Sequence, residues 1–151
     1  MCLALYLFTE RNLPESSWNK DDPKVFIEAV TTASNDRGAL DWPHGCKHVY
    51  YIGSYQGCGC GWSPLSDYDE DDDRTRKLRD RSALIDILVA SDVSTSSFVC
   101  CWEGDQGQPM RSPQFLSWAQ IQDGTYEFAE LQEYRVSPGA DTTPTCAVTN
   151  P

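Results

Sequence analysis

This sequence predicts a small α+β domain, a largely antiparallel sheet with one main helix packed on one face and a short second helix. Three observations carry that reading. Strand-length apolar runs follow one another before any helical pattern, a single amphipathic stretch occupies about 74–89, and strand-like segments resume beyond it. The early strands lie too close in sequence for the helical crossovers of a doubly wound sheet.

Cys2 to Phe8 is apolar and alternates well enough for a first strand, and Lys24 to Thr31 has the β-branched and aromatic content of a second. Between them Pro14, Ser16 and Ser17 mark a surface loop, and after the second strand Asn35, Asp36 and Gly38 mark a turn. His48 to Ser54 is the best strand in the chain, with Val49, Tyr50, Tyr51 and Ile52 in a row. The helix follows the acidic run 67–73, where Asp72 or Asp73 can cap it and carboxylates suit its positive end. Leu78, Ile85 and Leu88 share a face that Leu84 and Val89 widen, and Arg76 with Asp80 makes an i,i+4 pair. Ser97 to Trp102 reads as a strand, Pro113 to Gln120 as the short helix, and Thr125 to Val136 as a final, interrupted strand. Residues 1–138 are expected to form one globular domain, and 139–151 a loosely ordered tail. At 151 residues the chain can bury roughly 69% of its extended surface, enough for one core.

Twelve Lys and Arg stand against 23 Asp and Glu, a formal charge of −11. That field opposes binding to a phosphate backbone, so nucleic acid is disfavoured. It favours a basic protein partner, and the leading expectation is a non-enzymatic acidic module of the adaptor or immunity kind. No apolar run reaches the length of a membrane span, and the N-terminal segment lacks the basic flank of a secretory signal. The expected compartment is therefore the cytoplasm, where the seven cysteines would stay reduced.

The alternative expectation is a cysteine-based site. Gly57, Gly59 and Gly61 alternate with Cys58 and Cys60, a spacing that suits a tight loop in which thiols and backbone N–H groups converge. His44, Cys46 and His48 lie just upstream. If the strand after them pairs beside the loop, Cys46, Cys58, Cys60 and one imidazole make a four-ligand set suited to zinc. Thiol chemistry at Cys58 or Cys60 is the second form of the same idea, although Lys47 is the nearest basic side chain in sequence and offers little to stabilise a thiolate. Cys100 and Cys101 are adjacent on a strand and so face opposite sides of the sheet.

Cys2 adds a further candidate. With Met1 removed, its α-amino group would serve as general base for its own thiol. In this one position, at the start of a strand, the chain resembles the N-terminal-nucleophile amidohydrolases. The resemblance implies Cys2 as a catalytic nucleophile. Asp67, Asp69 and Asp71 alternate as in a calcium loop, but Asp72 and Leu78 stand where glycine and glutamate are needed. No phosphate-binding loop, dinucleotide fingerprint, zinc-protease helix or nucleophile elbow is present.

Overall fold

Six strands form one sheet in the order β2-β3-β1-β4-β6-β5, in a computed structural model that describes residues 2–124 and 126–139. The strands are β1 Leu3–Thr9, β2 Phe26–Ala29, β3 His48–Gly53, β4 Ser96–Trp102, β5 Arg111–Ser117 and β6 Gln132–Ser137. Helix α1 spans Asp71–Ala90 and α2 spans Trp118–Gln122. All neighbouring strands run antiparallel except β5 and β6. The predicted fold class is therefore the observed one. The tail beyond Gly139 lies outside the described residues.

Both faces of the sheet are covered, each by alternate residues of the same strands. Leu5 and Leu7 of β1, Tyr50 and Ile52 of β3, and Phe98 and Cys100 of β4 pack with Leu84, Ile85 and Leu88 of α1. Ala4, Tyr6, Phe8, Val99 and Cys101 point the other way, where Ala39 and Trp42 cover them. Cys100 and Cys101 thus face opposite cores, as adjacent strand residues must.

The elements differ from expectation at several places. The segment from Pro113 to Ser117 belongs to edge strand β5, where a proline removes no needed ladder donor. The short helix begins only at Trp118, because Ser117 and Gln120 form a reciprocal capping box. Helix α1 starts at Asp71, with Glu70 as its N-cap residue and no side-chain cap bond. Along α1 the buried stripe begins with Lys77, Asp80 and Arg81 and turns apolar only at Leu84, while Val89 is exposed. Arg76 pairs with Asp72 at 2.8 Å instead of with Asp80, which is buried and turned toward the loop after β3. The last strand is shortened to β6, because the chain from Tyr126 to Leu131 is irregular apart from a bridge between Glu130 and Cys100.

Candidate metal centre

The loop that follows β3 is organised by Ser54, which is fully buried. Its N–H and hydroxyl both donate to the Cys58 carbonyl, at 2.8 and 2.7 Å, and its hydroxyl oxygen accepts from the Gly61 N–H at 3.2 Å. Gly57 takes a φ of +77°, a left-handed value that favours glycine, with the Trp18 ring packed over it. The chain then enters a short 3-10 turn, Gly59–Trp62. Trp62 is fully buried and donates its indole N–H to the Ile52 carbonyl at 3.0 Å.

Helix α1 grips both ends of this loop with its buried polar stripe. Asp80 accepts the Tyr55 N–H at 2.6 Å. Arg81, 1% exposed, donates to the carbonyls of Gly61, Trp62 and Ser63 at 3.2, 3.0 and 2.7 Å, and to Lys77 within its own helix. Two charged side chains are buried here because the loop supplies backbone groups that satisfy them.

That grip sets the turn against the beginning of β1. Gly59 faces the Leu3 carbonyl and the Leu5 amide so closely that no side chain fits between them. Cys58 and Cys60, on either side of Gly59, therefore meet Cys2, which immediately precedes β1. Among the described residues one group of three potential ligands emerges, Cys2, Cys58 and Cys60, with sulfurs all within 4.8 Å of one another. All three are partly buried, and the Cys60 N–H points to the Cys58 sulfur at 3.4 Å. The sulfurs lie close enough to hold a metal ion such as zinc.

Electrostatics at the cluster disfavour a lone thiolate. Burial, and then the hydrogen bond and charge of Cys60 and the nearby Cys2, push the Cys58 thiol up to about 12. Burial also raises the Tyr51 hydroxyl, reinforced by Cys58 and Glu103, so both groups hold their protons. A nucleophile needs the reverse environment. A soft cation held by the sulfurs would displace the thiol protons and pair with the thiolates so formed.

Of the residues singled out from sequence, Cys58 and Cys60 come together, and the third sulfur is Cys2, not Cys46. His48 pairs with Thr9 at the far end of β1, about 20 Å along the strand from Leu3. Cys46 packs against the opposite core, and its N–H donates to Nδ1 of His44, whose ring lies 4.5 Å from that of Phe8. Burial pulls the His44 imidazole below its ordinary value. Neither histidine nor Cys46 belongs to the three-sulfur group. Met1, on which the N-terminal-nucleophile idea turns, lies outside the described residues.

Part of the acidic run is engaged within the fold. Lys77, 4% exposed, meets Asp69 at 2.9 Å and Asp73 at 3.5 Å, and Asp73 also accepts the Tyr55 hydroxyl. Nothing in these contacts singles out a basic protein partner. Among the described residues no helix is long and apolar enough to cross a membrane. No protein-family model, curated protein or solved structure gives a significant match to the chain.

Proposed function

We propose that the protein binds one thiophilic metal ion, zinc in the first instance, through the thiolates of Cys2, Cys58 and Cys60. The carrying observation is the convergence of three sulfurs from two distant parts of the chain within 4.8 Å. Zinc–sulfur bonds of about 2.3 Å in a tetrahedron place sulfurs about 3.8 Å apart, which this cluster accommodates. Soft sulfur ligands select zinc or Cu(I) over magnesium and calcium. The ion fastens the start of β1 to the loop after β3, and three protein ligands leave one tetrahedral position for a ligand from solution. The Cys60 N–H to Cys58 sulfur contact suits a coordinated thiolate, which accepts such bonds well.

Equilibrium dialysis of the reduced chain against zinc tests this reading. It should hold about one ion per chain. Cys2→Ser, Cys58→Ser and Cys60→Ser should each weaken that binding, about 10- to 100-fold or more, whereas Cys46→Ser and His48→Ala should not. Negligible zinc uptake, or a Cys46→Ser loss as large as that of Cys2→Ser, would reject the proposal.

A further inference from the structure

A cavity of about 300 Å³ opens at the same end of the sheet, lined by Leu3, Trp62, Trp102, Phe128, Glu127 and Glu130 together with uncharged neighbours. We infer that it is a binding site for a small organic cation, an alkylated ammonium with a short apolar body. The inference goes beyond the metal reading and does not depend on it.

Three aromatic side chains, Trp62, Trp102 and Phe128, contribute to its walls. Trp102 ends β4 opposite Leu3 and is 39% exposed. Trp62 is fixed through Ile52, with the Arg81 guanidinium 5.8 Å from its ring. Phe128 is set among Tyr126, Phe98 and Tyr134, its ring centroid 5.5–5.9 Å from theirs. Glu130 is placed by its bridge to Cys100, reinforced by the Leu131 N–H donating to the Cys100 carbonyl at 2.7 Å.

Charge decides what such a cavity takes. Two carboxylates line it and no Lys, Arg or His does. Among the described residues neither Glu127 nor Glu130 forms an ion pair. An anion is repelled, and a neutral apolar ligand leaves the carboxylates without a counter-charge. Aromatic rings attract cations through their negative faces, most strongly for tryptophan. An alkylated ammonium is preferred over a bare one because its charge is spread under apolar groups and costs less to desolvate against such walls. The volume lies at the lower end of the about 300–1,000 Å³ typical of ligand pockets, which sets the size of the occupant.

Choline and benzyltrimethylammonium are suitable probes, with 3,3-dimethylbutan-1-ol as the neutral counterpart of choline. In a heteronuclear NMR titration at least one cation should bind saturably, with a Kd of about 1 mM or tighter, and move the indole N–H resonances of Trp62 and Trp102. The neutral alcohol should bind at least about tenfold more weakly than choline. Glu127→Gln with Glu130→Gln should weaken cation binding about tenfold, and Trp102→Ala about fivefold, with spectra elsewhere unchanged. Chelator and the Cys2→Ser variant should leave it intact, which separates this site from the metal centre. The inference is overturned if neither cation binds, if the alcohol binds as well as choline, or if the shifts fall outside this cavity.

Discussion

Gly59 sits so close to Leu3 that a Cβ on it would stand 2.5 Å from the Leu3 carbonyl oxygen. The obstructing atom is central-strand backbone, which cannot swing aside. This contact brings the two loop thiols to Cys2, so the missing side chain of Gly59 is a condition for the cluster. Gly59→Ala should destabilise the fold by about 1–3 kcal/mol, as overpacking does, and weaken zinc binding as well. Urea unfolding and zinc dialysis on the variant check both. Unchanged stability with unchanged zinc affinity would show that the turn does not depend on this approach.

Arg81 is the second support of the site. Replacing it with Met keeps the buried stem but strips donors from the Gly61, Trp62 and Ser63 carbonyls. The expected loss is about 3 kcal/mol, because buried acceptors are left without partners. Denaturant midpoints at constant slope measure it. Replacing exposed Arg74 the same way should cost less than about 0.5 kcal/mol.

The thiols give the metal-free protein a pH dependence of known sign. Cys58 holds its proton in the fold up to about 12, against an ordinary value of 9.0. The folded state thus binds more protons than the unfolded one between those values. This contribution is fully present below pH 9 and is lost as pH rises through the window. Burial raises Cys100 and Cys101 to about 12 as well, so they act with the same sign. In chelator, stability should fall across this range, and Cys58→Ser should make the fall shallower. Zinc affinity should move oppositely, rising with pH because the ligands must deprotonate, with protons released as the ion binds. Calorimetry in buffers of different ionisation enthalpy counts those protons.

The parts of the fold written in local pattern were legible. Strands β1, β3 and β4 have apolar runs of strand length, and α1 has an acidic start with Leu84, Ile85 and Leu88 on one face. Strand β5 was missed because Pro113 reads as a helix start unless the segment is known to be a sheet edge. The capping pair Ser117 and Gln120 marked the true start of α2 in the sequence itself. The loop thiols were legible from their glycine spacing, but Cys2 was not legible as their partner. Cys46 is twelve residues from Cys58 and Cys2 is 56, yet strand order overrides sequence distance. β1 lies between β3 and β4, so its beginning meets the loop that leaves β3, while the residues entering β3 are carried to the other end. The polar half of the α1 stripe was equally hidden, since Asp80 and Arg81 look solvent-facing until the loop's backbone groups are seen to receive them.

Cobalt titration followed by absorbance tests the three-sulfur centre most directly, because the sulfur-to-cobalt charge-transfer band reports thiolate coordination and the separate visible d–d bands report geometry by their intensity. The reduced protein should develop that band to an end point of about one cobalt per chain, lose it on adding zinc, and show a diminished band in each of the Cys2→Ser, Cys58→Ser and Cys60→Ser variants. A band that survives unchanged in Cys2→Ser, or no band with all three thiols reduced and the chain folded, would contradict the account.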